Sequence, residues 1–319
     1  MATVPRRPAG SKEGITGTFE NIKQTVTSVA EAFSQWWQSI PDDVRGRGYR
    51  MIELNKIYNE DCLEGMKRIP DDFVDLTVTS PPYDNLRTYN GNIEQWSFEK
   101  FQGIAKELYR VTKQGGVVVW IVGDATINGS ETGTSFKQAL YFMECGFNLH
   151  DTMIYEKNGA GAVGSNKCYL QNFEYMFVFS KGKIKTFNLI YDRENKVVGR
   201  MKTNTNRDKY TADTGRKYRE ITTKKMGRRF NIWKYEQTQG HDAYSKKHPA
   251  PFPETLAADH IISWSNEGDL VLDPFMGSGT TAIACINTNR NYIGFEISKE
   301  YCDIANERIR KTLAEKEVE

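Results

Sequence analysis

Cysteines and long apolar runs are scarce in this chain of 319 residues. Its five cysteines lie far apart, without the paired spacing of a zinc site or the density of a small disulfide framework. The four histidines have no ligand-like spacing either, so we expect no metal site. No stretch approaches the roughly 18 apolar residues of a membrane span, and the N-terminus lacks a hydrophobic signal core. We therefore expect a soluble cytoplasmic protein without a membrane partner.

The net charge of +2 indicates no partner by itself, but the charge is unevenly distributed. Residues 182–247 contain 18 Lys and Arg against seven Asp and Glu, a local charge of +11. Aromatic residues, including Tyr191, Phe230, Trp233 and Tyr235, are interleaved with these cations. A basic surface that carries rings suits phosphate contact and base stacking. We interpret 182–247 as a nucleic-acid recognition region, with a merely solvated loop-rich insertion as the alternative.

Residues 1–50 differ from the rest of the chain. A polar, turn-rich start is followed by apolar residues at steps of three and four, which predicts one amphipathic helix that ends at Pro41. This helix either packs on its own chain or pairs with a second subunit, so we also consider a homodimer. The seam consists of Phe19, Ile22, Val26, Val29, Phe33, Trp36 and Ile40.

Residues 51–181 and 248–319 alternate between strand and helix patterns. Alternation of this kind predicts an α/β fold with a doubly wound, mostly parallel sheet and helices on both faces. The two segments would form the two halves of one domain, interrupted by the basic insertion. The patterns predict strands near 56–58, 74–79, 117–122, 149–155, 174–180, 269–272 and 291–297, and helices at 63–69, 98–111, 135–145, 254–265, 282–288 and 299–315.

The segment from Val74 to Tyr83 reads as a buried strand that runs into a loop stiffened by two prolines. Ser80 precedes the prolines and Tyr83 follows them. Two acceptors, the Ser80 hydroxyl and the Pro81 carbonyl, could hold the N–H groups of an exocyclic amine on a nucleic-acid base, which is otherwise a poor nucleophile. The tyrosine ring could stack on that base once it has left the duplex. A structural Pro-Pro turn is the alternative.

A second loop, 273–281, has glycines at 277 and 279 between a predicted strand and helix. The glycines allow a ligand to approach the backbone, and Glu296 at the end of the next strand could accept bonds from both hydroxyls of a ribose. The loop lacks the third glycine of the dinucleotide fingerprint and the Gly-Lys-Ser/Thr of a phosphate loop. A ligand with ribose but no phosphate fits this loop better than NAD or ATP, although a plain structural turn is also open.

Together, Ser80-Pro81-Pro82-Tyr83 and Asp273-Pro-Phe-Met-Gly-Ser-Gly-Thr-Thr resemble the amino-methyltransferases of DNA, over about residues 52–312. The Pro-Pro loop precedes the basic insertion and the glycine loop follows it, an order that resembles the circularly permuted β class. The resemblance implies a Rossmann-like methyltransferase fold, S-adenosyl-L-methionine as cofactor and double-stranded DNA as partner.

The resemblance also implies roles for individual residues. Ser80, Pro81, Pro82 and Tyr83 would be catalytic. The cofactor would contact the glycine loop with its methionine part, Glu296 with its ribose and the neighbourhood of Asp61 with its adenine. The full cofactor set is Asp61, Cys62, Thr79, Pro251, Asp273, Pro274, Phe275, Gly277, Ser278, Gly279, Thr280 and Glu296. The expected DNA contacts are Arg87, Arg200, Lys202, Arg207, Arg216, Lys217, Arg228 and Arg229.

A dipeptide that the chain lacks restricts which atom of a base could be methylated. Methylation at cytosine C5 needs a thiolate nucleophile, and no Pro-Cys dipeptide occurs. In the family, Ser at the first loop position tends to accompany cytosine N4, so we expect cytosine N4, with adenine N6 as the alternative. Methyl transfer to RNA or to a protein amide, and a silent DNA-binding module, are further alternatives.

Overall fold

A computed structural model describes residues 52–82, 96–157, 169–205, 218–235 and 252–318. The predicted N-terminal helix, Tyr83, Arg87 and Pro251 lie outside these residues. Within them the chain forms strands β1 (Lys56–Tyr58), β2 (Val74–Thr79), β3 (Thr112–Val122), β4 (Thr126–Ile127), β5 (Ser130–Glu131), β6 (Asn148–Lys157), β7 (Phe173–Ser180), β8 (Arg193–Glu194), β9 (Met201–Thr205), β10 (Tyr218–Thr222), β11 (Met226–Gly227), β12 (Ile232–Tyr235), β13 (Leu270–Asp273) and β14 (Asn291–Phe295).

Eight of these strands form one central sheet in the order β1-β14-β13-β2-β3-β7-β6-β12. The strands pair in parallel except at β7, which runs antiparallel to both β3 and β6. The central strands are buried on both faces, as their continuous runs of Val, Leu and Ile require. The predicted α/β fold with a mostly parallel sheet is confirmed.

Helices cover both faces of the sheet because each carries an apolar side. Cys62–Met66 (α1), Phe98–Val111 (α2) and Thr134–Glu144 (α3) pack with one apolar cluster. Glu254–Trp264 (α4), Thr280–Asn287 (α5) and Lys299–Val318 (α6) contribute to the cluster on the other face. No helix of the described residues is long and apolar enough to cross a membrane.

The structure differs from the sequence-based expectation in two places. Strand β3 begins at Thr112, earlier than the predicted strand at 117–122, and therefore includes Gly115 and Gly116, which a register shift against β2 and a φ of 84° at Gly115 accommodate. The second difference concerns β12, which lies within the basic insertion yet forms the edge of the central sheet beside β6. Trp233 and Tyr235 on β12 are only 6% and 7% exposed, so these two rings belong to the core and not to a stacking surface.

Candidate active site

Two of the sequence motifs meet at one edge of the sheet. Strands β2 and β13 are parallel neighbours, with Val271 opposite Leu76 and Leu272 opposite Thr77. Because parallel strands end at the same edge, the loop after β2, which begins at Ser80, lies beside the loop after β13. Pro81 in the first loop is buried, and Ser80 and Pro82 are half-buried.

Asp273 connects the two loops through its carboxylate. Its Oδ1 accepts from Thr79 Oγ1 at 2.6 Å and from the Phe275 backbone N–H at 3.0 Å. Its Oδ2 accepts from Thr281 Oγ1 at 2.6 Å. The residue is 1% exposed, and this burial raises the pKa of Asp273 to about 6, although the bonds from Thr281, Thr79 and Phe275 oppose the rise.

The glycine loop is held closely against the helices around it. Gly279 precedes α5 with a φ of 85°, and a Cβ placed there would lie 2.9 Å from the Ala305 Cβ on α6. A side chain at this position would therefore be strained and would also collide with α6. Arg308, on the same helix, is buried and donates from Nη1 to the Ser278 carbonyl at 2.5 Å. The backbone of the loop is thus fixed without any ligand.

Glu296, directly after β14, faces the same loop. Its Oε2 accepts from the Gly277 N–H and its Oε1 from the Ser298 N–H, each at 2.8 Å. Burial raises the pKa of Glu296, opposed by these backbone bonds. Asn59, after the neighbouring strand β1, donates from Nδ2 to the Glu296 carbonyl at 2.9 Å. The carboxylate is thus held at the end of β14 by backbone N–H groups and faces the glycine loop.

Asp61 follows β1 at the same edge and begins α1. One oxygen caps the Leu63 N–H at 2.8 Å, as the sequence predicts, and the other accepts from Lys100 Nζ at 2.7 Å. Burial alone would raise the pKa of Asp61, but the bonds from Lys100 and Leu63 outweigh it and lower the pKa. Burial raises the pKa of the adjacent Cys62 thiol to about 12, so this thiol is uncharged at neutral pH.

An aromatic group borders the glycine loop. The half-buried ring of Phe275 lies edge-on to Trp96, with centroids 5.5 Å apart, and to Trp120, at 6.1 Å. Trp120 is itself fixed by a bond from its Nε1 to Gln138 Oε1 at 2.8 Å. Such a group can pack against a flat ring of a ligand.

The structure thus brings most of the expected cofactor residues to one edge. Thr79 and the residues from Asp273 to Thr280 lie with Glu296 and Asp61 at the ends of adjacent strands. Pro274, Ser278 and Thr280 are buried and shape the loop by packing. The described residues contain no group of three or more His, Cys, Asp and Glu side chains that could hold a metal ion.

The expected DNA contacts are described only in part. Arg207, Arg216 and Lys217 lie outside the described residues, as does the side chain of Lys202. Arg200 and Arg228 are exposed in the basic region. Arg229 is half-buried and already engaged, because Nη1 donates to Asp259 Oδ2 at 2.5 Å and Nε donates to Asp192 Oδ2 at 2.6 Å.

Several residues of the site were not singled out from the sequence. Thr281 could have been found, since it stands in the glycine loop and is spaced to face Asp273 from the first turn of α5. Nothing in the local sequence marks the others, because their roles depend on contacts between distant segments. They are Asn59, Trp96, Lys100, Ser298 and Arg308.

Comparison with known proteins agrees with this arrangement. The profile of a family described as DNA methylase, covering N6 and N4 methyltransferases, matches residues 74–307. The chain belongs to this DNA methylase family. The orphan methyltransferase M.BamHII of Bacillus amyloliquefaciens is 58% identical to this DNA methylase over 248 residues, which cover 76% of the chain and 91% of the relative.

Solved structures show the same fold. The M1.HpyAVI–SAM complex is 25% identical to this DNA methylase, with a TM-score of 0.53 over 80% of the chain and 98% of that structure. The cytosine-N4-specific PvuII DNA methyltransferase is 21% identical, with a TM-score of 0.60 over 82% of the chain and 88% of that structure. The latter likeness supports the fold alone.

The buried carboxylate of Asp273 predicts a pH dependence of stability. Its pKa is about 6 in the folded protein but near 3.9 in an unfolded chain, so between these values only the folded form keeps the proton. Asp273 therefore contributes less to stability as pH rises through this window. Relative to Asp273→Asn, the wild-type free energy of unfolding should fall by roughly 1 kcal/mol from pH 5 to pH 7 in urea titrations. If the free energy of unfolding of wild type relative to Asp273→Asn stayed constant or rose from pH 5 to pH 7, the raised pKa of Asp273 would be refuted.

Proposed function

We propose that this DNA methylase transfers a methyl group from S-adenosyl-L-methionine to the exocyclic amine of a base flipped out of double-stranded DNA. Cytosine N4 is our first choice of target. The observation that carries the proposal is the bond between Thr79 and Asp273, which fixes the Pro-Pro loop beside the glycine loop. A base amine held by the first loop would then lie next to a methyl donor held by the second.

The residues at the edge of the sheet suit S-adenosylmethionine. The Glu296 carboxylate stands at the end of β14, where it could accept bonds from the two ribose hydroxyls, and the glycine loop lies beside it for the methionine part. The carboxylates of Asp61, Asp273 and Glu296 also give the edge a negative character, which suits a cofactor with a sulfonium charge. The presence of SAM in the M1.HpyAVI complex agrees with this choice.

The chemistry asks little of the protein beyond positioning. The bound cofactor supplies a methyl group on a positively charged sulfur, which becomes a neutral thioether when the base nitrogen takes the methyl, and the nitrogen then releases one proton to solvent. Ser80 Oγ and the Pro81 carbonyl would accept the two amine N–H bonds and direct the nitrogen lone pair at the methyl carbon. We assign stacking on the base to Tyr83, and the order of the two motifs to the β class.

The choice of cytosine N4 over adenine N6 rests on Ser80. The family to which the chain belongs includes methyltransferases of both amines. A pocket for adenine must also admit a larger ring, and the described residues around Ser80 do not distinguish the two sizes. Adenine N6 therefore stays the alternative.

The function is tested by supplying tritiated cofactor with unmethylated DNA, RNA or cell protein. We expect label in duplex DNA, and sequencing of the product should report N4-methylcytosine in one sequence context. Label only in RNA or protein would overturn the proposal. N6-methyladenine would leave the reaction in place and correct the base.

Ser80→Ala should separate catalysis from cofactor binding. Loss of one acceptor leaves the amine wrongly oriented, so the rate of methyl transfer should fall by about a hundredfold. The dissociation constant for S-adenosylmethionine in calorimetry should stay within about twofold, because Ser80 lies on the other loop. Ser130→Ala, which changes an exposed serine at the start of the short strand β5, is the control and should match wild type in both measurements. Normal turnover by the Ser80 variant would refute its role.

Glu296→Gln should have the opposite pattern. The amide keeps one acceptor oxygen, so a ribose hydroxyl loses its partner and the Gly277 or Ser298 N–H competes for the remaining oxygen. We expect cofactor affinity to weaken by tenfold or more, as for a lost bond to a charged group of about 1.5–3 kcal/mol. Glu267→Gln changes an exposed carboxylate in the loop before β13 and serves as the matched control. Equal affinity of the two variants would remove Glu296 from the site.

A further inference from the structure

The basic region forms an arm, residues 186–201 and 222–230, that rises along α4. At its base, Asn188 donates from Nδ2 to the carbonyls of Ile262 and Ser265, both at 3.0 Å. Nearer the N-terminal end of α4, Arg229 joins Asp192 of the arm to Asp259 of this helix. Tyr235 at the end of β12 also donates to Asp259 Oδ2, at 2.6 Å. The arm is therefore fixed to the body at two levels of one helix.

The order of these two levels gives the direction of the arm. The C-terminal end of α4 leads into the start of β13, so the N-terminal end of α4 lies toward the edge where β13 and β2 end. Along its own sequence, the arm contacts Ser265 first and Asp259 next. It therefore runs toward the sheet edge that carries Ser80 and the glycine loop. Beyond these contacts the arm forms the paired strands β8 and β11.

The arm carries a short loop, 195–200, which we call the tip. At one end, the Asn195 N–H donates to the Lys225 carbonyl and Asn195 Nδ2 donates to the Lys224 carbonyl, both at 2.9 Å. At the other end, the Gly199 N–H donates to the Thr223 carbonyl at 2.9 Å, and the Arg200 carbonyl accepts from the Thr223 N–H at 3.0 Å. The tip is thus closed on one segment of chain without the help of its own central side chains.

Those central side chains are two valines, and both are exposed within the part of the chain that the structure describes. Val197 is 53% exposed and Val198 is 58% exposed, and Met201, just beyond the tip, is 61% exposed. Adjacent exposed β-branched residues on a fixed loop are unfavourable in water unless a partner buries them. Exposed cations flank the valines in the sequence and stand on the segment that closes the tip, which favours a polyanion as that partner; they are Lys196, Arg200, Lys224 and Lys225.

We propose that Val197 and Val198 enter the DNA next to the target base and pack against the bases exposed when the target leaves the stack, while the surrounding cations contact phosphates. This inference rests on the proposed function, because it takes duplex DNA as the substrate. Valine offers no hydrogen bond, so the tip cannot read base edges by donors and acceptors. It can fill apolar space between bases, as aliphatic wedges do in proteins that distort the duplex.

Binding tests the tip without depending on catalysis. The affinity for duplex DNA that contains a methylated site would be measured by fluorescence anisotropy at several salt concentrations. Val197→Ala/Val198→Ala should bind about tenfold more weakly, with an unchanged salt slope, since no phosphate contact is lost. Lys224→Gln/Lys225→Gln should instead reduce the slope by up to about two. Val197→Ile/Val198→Ile should retain the affinity of wild type.

Two controls make the test specific. Leu140→Ala/Met143→Ala removes exposed apolar groups from α3, which covers the opposite face of the sheet, and should bind like wild type. A duplex with a mismatch at the target base lowers the cost of flipping for wild type and variant alike, so both should bind it more tightly while the tenfold difference between them remains. Melting temperatures should agree among all variants, because the bonds that close the tip come from other atoms.

The outcomes separate the tip from the proposed function. Wild-type affinity of the valine variant on the matched duplex, or a loss that disappears on the mismatched duplex, would overturn the role of the tip. Wild-type protein that binds the duplex but transfers no methyl group to it would count against the proposed function. In that case the anisotropy comparison would still decide the role of the valines.

Discussion

The arrangement of the site depends on one buried carboxylate. Asp273 ends β13, accepts from Thr79 at the end of β2 and from Thr281 at the start of α5, and so ties two loops and a helix to one point. The rise of its pKa to about 6 corresponds to a residual cost of about 3 kcal/mol for the charged form. Three donors offset part of this cost, and removal of the Thr281 hydroxyl would leave the buried Oδ2 without its partner.

The same type of interaction fixes the basic region. Arg229 is half-buried between Asp192 and Asp259, and breaking such a pair from one side leaves a charge that is hard to solvate. The two ion pairs of Arg229, together with β12 in the central sheet, join the basic insertion to the α/β domain. A region fixed in this way can hold the tip and the cations at a constant position relative to Ser80.

The sequence was sufficient for the fold and for most of the loop residues. Val117 to Val122 is a short, β-branched apolar run, which favours a buried strand, and Phe98–Val111 has the spacing of an amphipathic helix; the structure confirms both. Trp233 and Tyr235 show where the sequence was misleading. Their alternation with cations suggests a stacking surface, but alternation is also the pattern of an edge strand with one buried face, which is what β12 is.

Arg229 was equally indistinguishable from its neighbours in the sequence. It stands beside Arg228 in a basic run, and only the approach of Asp259, 30 residues away, separates the anchoring arginine from the exposed one. Likewise, no local feature marks Arg308 as the donor that supports the glycine loop. Contacts between distant segments decide such roles, whereas periodicity and turn chemistry are properties of neighbouring residues.

The charge is distributed unevenly between the basic region and the rest of the chain, and this favours different ligands at each. Removing the +11 of residues 182–247 from the total of +2 leaves −9 on the rest of the chain. A DNA phosphate is therefore attracted to the arm and repelled by the body, while a cationic cofactor is favoured at the acidic edge around Asp61 and Glu296. Under the proposed function, the two substrates would reach the edge from different sides. The flipped base is then the one part of the DNA that must cross from the basic region to the acidic one, and a neutral base can do so at little electrostatic cost.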